Sequence, residues 1–312
     1  MLDGCALGLD TSNYTTSAAL LEHGEMQSCG KLLPVKAGEI GLRQSDAVFH
    51  HTRQLPEVFG QLGERVSRAQ AIGVSSRPRD AEDSYMPCFL VGIGAAEMLG
   101  QALCVPVYRF SHQQGHIAAA LFSARRLELL KQSFIAFHLS GGTTEAVLVT
   151  PRDSEKIFST QLVARSLDLK AGQVIDRIGV MLGLPFPAGR YLDPLACACP
   201  EKIKVRASMK GADCSLSGVE NKCRDLLGQG ASKETIAAAC MAYVIASIDG
   251  MCAALSKEYG ELPVLFSGGV SSNSMLRAQM TEKYGAIFAE PRFSSDNAAG
   301  AAVLAMLKKE GF

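Results

Sequence analysis

Tryptophan is absent from the 312 residues, and aromatic residues make up only 6% of the chain. A surface that stacks single-stranded bases on aromatic rings is therefore not expected. Net charge is missing as well, since 31 Lys and Arg balance 31 Asp and Glu. That argues against autonomous, strongly salt-dependent nucleic-acid binding. It leaves room for a nucleic-acid substrate presented by a partner or held by a local basic patch. Apolar runs are broken by charge or Gly well before the ~18 residues of a membrane helix, so no membrane span is expected. Met1-Leu2-Asp3-Gly4 has no basic n-region, so no signal peptide is expected and the chain is read as cytoplasmic. The ten cysteines lack metal-knuckle or redox spacing, and the nearest pair is Cys197-Ala198-Cys199. Reduced thiols serving as small hydrophobes are expected. What is present is apolar: 47% hydrophobic against 20% charged, enough for a full core and incompatible with disorder.

Short apolar runs alternate with helical stretches, the pattern of an α/β protein. Residues 5–9 read as a strand and 17–21 as its hairpin partner, around the turn Asp10-Thr11-Ser12-Asn13-Tyr14-Thr15-Thr16. The arrangement returns downstream as strand 134–139, turn Ser140-Gly141-Gly142-Thr143-Thr144 and strand 146–149. Two such units suggest a duplicated architecture. A weaker third element is strand 264–266, followed by Ser267-Gly268-Gly269. Periodicity predicts helices over 55–68, 233–259 and 296–309, the second of them a core helix. No low-complexity linker separates the halves. Two directly joined lobes are expected, 1–111 and 112–312, with a cleft between them and the final helix packing back on the first lobe.

The sharpest local signal is His112-Gln113-Gln114-Gly115-His116. Ser111 and Gln114 form a capping box, so a helix starts there. Histidines four residues apart on one helix face project side by side, as metal ligands do. Spacing alone leaves a second reading open, two half-exposed histidines near a helix N-terminus. Gly115 inside a helix costs about 1 kcal/mol against Ala and points to close approach by another backbone. A zincin protease needs Glu after the first His, and Gln113 cannot act as a base, which disfavours a metallopeptidase. The Ser140-Gly141-Gly142 turn lets backbone N–H groups approach a phosphate, although Gly-Gly also makes ordinary hairpin turns. Loops 10–16 and 267–273 are similar, and three converging small-residue loops suit a nucleotide. Asp176 reads as a surface residue of an amphipathic helix. Asp193 reads as a loop-to-helix junction residue, and Asp296 as a helix N-cap first and a ligand second.

Taken in order, these segments resemble the TsaD family, also filed as O-sialoglycoprotein endopeptidase or glycoprotease. The match includes His51-Thr52-Arg53-Gln54-Leu55-Pro56, the His112 to His116 motif, Leu139-Ser140-Gly141-Gly142, and Asp176 followed by Leu182-Gly183-Leu184-Pro185. It continues through Leu216-Ser217-Gly218, Ser267-Gly268-Gly269-Val270-Ser271-Ser272-Asn273 and Ser295-Asp296-Asn297. The resemblance implies an actin-like ATPase (ribonuclease H-like) fold of two duplicated lobes with a nucleotide cleft. It implies a metal-dependent acyltransferase that moves threonylcarbamoyl from threonylcarbamoyl-AMP to N6 of adenosine 37 in tRNA. Carried over by position, His112, His116 and Asp296 become ligands of one Fe²⁺ or Zn²⁺. Leu139, Ser140, Gly141, Gly142 and Thr143 hold the phosphate side of ATP, AMP or the adenylate. Asp176, Gly189, Asp193 and Asn273 hold the nucleoside side, and Asp10 is a candidate general base. The implied partners are tRNA and TsaB-like and TsaE-like companion proteins.

The chain departs from the family pattern at four places. The Gly-rich run after the third strand is replaced by Arg77-Pro78-Arg79-Asp80-Ala81-Glu82-Asp83-Ser84-Tyr85-Met86-Pro87. The His of SGGHT is Thr143, an acidic pair after the first strand is Asn13-Tyr14, and the Lys after Leu216-Ser217-Gly218 is replaced by Glu220-Asn221. These departures read as a divergent paralog. Such a chain carbamoylates another acceptor or serves as an ATP-binding, non-catalytic platform.

Overall fold

Strands and helices alternate through the computed structural model, which describes every residue except 1, 13, 35–41, 82, 153–156 and 294–297. The first sheet holds β1 (Cys5–Asp10), β2 (Thr15–Glu22), β3 (Glu25–Leu32), β4 (Ala71–Arg77) and β5 (Val107–Ser111), in the order β3-β2-β1-β4-β5. Next come β6 (Phe134–Leu139), β7 (Thr144–Pro151), β8 (Phe158–Arg165), a ribbon of β9 (Ser208–Lys210) and β10 (Asp213–Ser215), then β11 (Val264–Ser267) and β12 (Ile287–Phe288). The second sheet runs β12-β11-β6-β7-β8. Its strand order repeats that of the first sheet. In each, the leading strand pairs antiparallel with the next in sequence and parallel with a later one, β1 with β2 and β4, β6 with β7 and β11. The duplicated architecture expected from the two strand–turn–strand units is therefore present.

The helices are α1 (Gln44–Gly60), α2 (Phe89–Leu103), α3 (His112–Ser123), α4 (Ala171–Met181), α5 (Gly189–Ala198), α6 (Ser217–Gly228), α7 (Lys233–Tyr259), α8 (Ser274–Tyr284) and α9 (Ala298–Lys309). Contacts divide the chain into two compact units, 1–130 with 151–159 and 292–312, and 131–150 with 160–291. A boundary at 111/112 would cut α3 from β5. Instead α3 belongs to the first unit, together with α9.

In the first unit, Leu7, Leu9, Leu20, Ile72 and Val74 pack with Val58 of α1 and Ala96 of α2. Helix α9 packs on β1 and β4 at backbone distance. A Cβ at Gly8 would lie 1.9 Å from the Ala298 carbonyl oxygen, and one at Gly73 2.0 Å from that of Ala301. The run Ala298-Ala299-Gly300-Ala301-Ala302 is small for this reason. The helix expected over 55–68 begins eleven residues earlier and ends at Gly60, with a separate 3-10 turn at Gly63–Arg68. Its buried stripe is Ala47, His51, Gln54, Leu55 and Val58, so polar residues occupy positions where apolar periodicity was sought. One hydroxyl bridges the two, since Thr16 Oγ1 lies 2.8 Å from His51 Nδ1 and 3.0 Å from Gln54 Oε1, and Gln54 Nε2 donates to the Leu32 carbonyl at 3.1 Å.

The second unit is organised around α7, whose Ile236, Val244, Ile248, Met251 and Leu255 pack against Phe137 and Phe266 of the sheet. By length and composition α7 could cross a membrane, contrary to the expectation that no such run exists, but 67% of its apolar window is buried inside the molecule. It is the core helix that its periodicity predicted. All ten cysteines are free thiols.

Helix α6 is anchored by one carboxylate. Asp168 accepts hydrogen bonds from the N–H groups of Leu216 (2.7 Å), Ser217 (3.2 Å) and Leu169 (2.7 Å) and from the Ser217 hydroxyl (2.7 Å). Leu216-Ser217-Gly218, one of the segments that carry the family resemblance, is thus where α6 starts. Burial pushes the Asp168 carboxyl up, but the Ser217, Leu216 and Leu169 bonds outweigh it and hold the group below its ordinary value. Its stabilising contribution is therefore complete above the unfolded value near pH ~4 and is lost as pH falls through the folded one. Asp168→Ala should cost about 1 kcal/mol, the usual worth of a helix cap, read as a lowered denaturation midpoint at pH 7. The difference from wild type should shrink as the pH falls below ~4. An unchanged midpoint would show that the cap is energetically idle.

Candidate functional site

Two groups of the expected residues come together, one in each unit. In the first unit β1 ends at Asp10, which is 1% exposed. Asp10 Oδ1 accepts the Ser12 N–H at 2.6 Å, and Oδ2 accepts the Ser75 hydroxyl at 2.9 Å. Oδ2 also lies 2.8 Å from Nδ1 of His112, at the start of α3. The Ser111–Gln114 capping box is formed as expected, and it sets the direction in which α3 leaves β5. Burial pushes the Asp10 carboxyl up. The charge of His112 and the bonds from His112 and Ser12 more than reverse this and leave the group below its ordinary value. An ionised carboxylate only accepts, so His112 Nδ1 carries the proton and donates it to Asp10 Oδ2. The His116 ring stands beside it, with centroids 4.6 Å apart.

This arrangement fits a metal ligand whose second nitrogen is held by a carboxylate. Among the described residues no three His, Cys, Asp or Glu side chains are grouped to hold a metal ion. The third expected ligand, Asp296, lies outside the described residues, as does Asn13. The close approach anticipated at Gly115 is that of α9, because a Cβ at Gly300 would lie 1.8 Å from the Gly115 carbonyl oxygen.

In the second unit the turn after β6 folds on itself. The Ser140 N–H donates to the Thr143 carbonyl at 2.7 Å, and Ser140 Oγ accepts from the N–H groups of Gly142 (3.3 Å) and Thr143 (3.0 Å). Helix α4 starts directly against this turn, with the Gly172 N–H donating to the Ser140 carbonyl at 3.2 Å and the Ala171 N–H to Thr144 Oγ1 at 2.8 Å. A Cβ at Gly172 would lie 2.6 Å from the Gly141 nitrogen. Loop 267–273 closes on the same turn. Gly268, at φ +91°, sits where a Cβ would lie 2.3 Å from the Leu139 carbonyl oxygen. Gly141 and Gly142 face open space. The turn therefore lies against a helix N-terminus and offers small residues outward, a setting suited to an anion.

Beside it is a cavity of about 490 Å³ lined by Gly172, Ile175, Asp176, Pro187, Gly189, Arg190, Asp193, Met241 and residues 269, 270, 272 and 273. Asp176, Gly189, Asp193 and Asn273, which the family resemblance implied as the nucleoside side, all line it. Residues 139–143 do not; they border it through Gly172. Apolar walls with a few carboxylates suit a base and its ribose. Two of the residues differ in role from their sequence reading. Asp176 is no free surface residue of α4, because its Oδ1 accepts the Ala188 N–H at 2.8 Å and ties α4 to α5. Asp193 lies inside α5 rather than at a junction. It accepts from Asn273 Nδ2 (2.7 Å), the Ser274 hydroxyl (2.9 Å) and the Ser274 N–H (3.1 Å), and so caps α8. Arg190, Met241 and Gly172 were not found from sequence.

A family model described as tRNA N6-adenosine threonylcarbamoyltransferase matches residues 49–303. A protein of that name from Chlorobium chlorochromatii is 28% identical over 97% of this chain and 92% of its own length. Another from Bacillus subtilis is 28% identical over 90% and 82%. Among solved structures, full-length HypF in its phosphate- and nucleotide-bound form superposes with a TM-score of 0.61 at 13% identity, over 99% of this chain and 57% of that one. Component A of (R)-2-hydroxyglutaryl-CoA dehydratase from Acidaminococcus fermentans gives 0.55 at 15%, over 99% and 100%. At such identities the likeness is one of fold, the actin-like ATPase fold.

Proposed function

Because the chain belongs to the tRNA N6-adenosine threonylcarbamoyltransferase family, we propose that it transfers threonylcarbamoyl from its adenylate to N6 of adenosine 37 in tRNA. The observation that carries this reading is the single cavity lined by Asp176, Gly189, Asp193 and Asn273. In it the apolar walls of Ile175, Met241 and Val270 take the base, and Asp176 and Asp193 offer carboxylate oxygens to ribose hydroxyls. The turn 139–143 takes the phosphate, with the Gly142 and Thr143 N–H groups turning from Ser140 Oγ to the ligand. Those donors then stabilise the charge left on the departing AMP.

His112 and His116 would hold the Fe²⁺ or Zn²⁺ that the family resemblance implies, together with Asp296. When bound, it supplies Lewis-acid polarisation of the carbamoyl oxygen. Asp10 has its oxygens engaged by Ser12, Ser75 and His112, so it is assigned to orienting His112 rather than to taking a proton from the acceptor. The setting is taken to be cytoplasmic, with TsaB-like and TsaE-like companions.

The test is transfer of labelled threonine into tRNA, with a threonylcarbamoyl-AMP synthase supplied, with and without the companion subunits. Modified tRNA supports the reading. No transfer in either case, with ATP still bound, removes it. The segment between β4 and α2 favours a second reading, a paralog with an altered acceptor. Arg77 pairs with Asp80 at 2.5 Å, and the Arg79 N–H bonds Ser84 Oγ at 2.9 Å, where the family has mobile glycines. On that reading adenylate binds normally but transfer to tRNA is poor or needs the companions.

Gly142→Val tests the phosphate turn directly. Its Cβ has nothing within 4 Å, so the fold should be kept while the approach of a phosphate is blocked. Wild type should melt higher with ATP, by about 2.7 kcal/mol of stabilisation at a ligand concentration 100 times Kd, and the variant should show no shift. An equal shift in both would mean that the phosphate sits elsewhere.

A further inference from the structure

Helix α5 lines the nucleoside cavity with Gly189, Arg190 and Asp193 near its start and releases the chain at Ala198, about 15 Å along its axis. The segment that follows, 202–210, reads Lys-Ile-Lys-Val-Arg-Ala-Ser-Met-Lys and contains no acid. Its exposure alternates strictly. Lys202, Lys204, Arg206, Ser208 and Lys210 are exposed, while Ile203, Val205, Ala207 and Met209 are half-buried. Ile203 and Met209 pack on the core of the second unit, Met209 over Gly250 of α7. The inward residues thus hold the outward ones in a row. Lys210 is paired in register with Asp213 across the β9–β10 ribbon. Lys202, Lys204 and Arg206 have no ion-pair or hydrogen-bond partner among the described residues, whereas Lys31, Lys283, Arg177 and Arg224 are each matched to a carboxylate.

We propose that Lys202, Lys204 and Arg206 form a docking stripe for the phosphate backbone of the tRNA substrate. This rests on the tRNA reading of the site. Alternate residues of an extended chain stand about 6.7 Å apart, a spacing that lets successive cations meet successive phosphates of one strand. A chain of zero net charge has no long-range pull on RNA, so a local row of unpaired cations must supply it. The stripe makes only backbone contacts. It fixes position along the RNA and reads no base.

The test is binding of an unmodified tRNA transcript to wild type and to K202Q/K204Q/R206Q, at about 50 and 200 mM salt. Losing three phosphate contacts should lower the slope of log affinity against log salt by about two, so wild type loses roughly 16-fold more affinity over that range than the variant. In the transfer assay with companions present, KM for tRNA should rise with kcat kept. The ATP-induced rise in melting temperature should be unchanged, which shows that the cavity is intact. A second variant, K233Q/K257Q/K309Q, removes the same charge elsewhere and should bind tRNA like wild type.

Unchanged slope and KM in K202Q/K204Q/R206Q, beside a wild type that binds tRNA, overturn the stripe alone. Equal losses in the two triple variants also overturn it, by showing that only net charge matters. So does a loss of affinity for heparin without a change in KM, which marks a general polyanion patch. A wild-type chain that neither binds nor modifies tRNA overturns the tRNA reading, and the stripe falls with it.

Discussion

Gly300→Val should yield no soluble folded chain. At this position α9 meets α3 with no side chain between them, and any Cβ would lie 1.8 Å from the Gly115 carbonyl oxygen and 2.5 Å from its carbon. Both atoms are backbone, so no rotamer change relieves the overlap. The helices would have to separate. Yet α9 is also pinned on its other side, where Gly8 and Gly73 accept it at similar distances. The expected loss exceeds about 4 kcal/mol, beyond ordinary overpacking and comparable to the whole stability of a marginal domain. Gly94→Ala is the control. Gly94 lies in α2 with nothing near its missing Cβ, and the change should be neutral or stabilising by up to about 1 kcal/mol. A folded Gly300→Val chain melting within a few degrees of wild type would refute the backbone packing of α3 on α9.

His112→Ala should remove metal binding and lower transfer by roughly 10³-fold or more, since a Lewis acid contributes several kcal/mol to such a barrier. The His112 side chain is 24% exposed, but its loss leaves the buried Asp10 carboxylate only Ser12 and Ser75, so some stability should be lost and the melting temperature is read beside metal content. Asp10→Asn should be milder. It keeps the shape but no longer holds Nδ1–H of His112 by charge, and metal affinity should fall about 10- to 100-fold. The readout is metal content per chain after dialysis, followed by transfer at saturating metal. Added metal should restore activity to Asp10→Asn and not to His112→Ala. Stoichiometric metal retained by the His112→Ala, His116→Ala double variant would place the ligands elsewhere.

Strands were legible wherever an apolar run was bounded by a polar turn, as at β1, β2, β6, β7 and β11. Helix α1 was half missed because its buried stripe contains His51 and Gln54, which are stabilised by Thr16 from a distant strand rather than by oil. Periodicity counts apolar residues and cannot see a polar position that tertiary bonding satisfies. The His112 pair was visible because its spacing is local. Its dependence on Asp10 was not, since the partner lies 102 residues away. Asp193 was read as a loop-to-helix junction residue because it follows Pro187-Ala188-Gly189-Arg190, but the true start at Gly189 has no side-chain cap and so gives no signal. The cavity is assembled from α4, α5, α7 and loop 267–273, and no single segment announces it.

The placement of α9 also bears on the order in which the molecule can be completed during synthesis. Helix α9 seals the glycine-bearing face of β1 and β4, yet it follows β1 by about 290 residues. At translation rates of about 5–20 residues per second, that face waits roughly 15–60 s for its cover. The second unit, by contrast, is finished at residue 291, before α9 leaves the ribosome. Maturation therefore runs against the direction of synthesis. The part made first is sealed last, and until then a nascent chain carries one uncovered face of its first sheet.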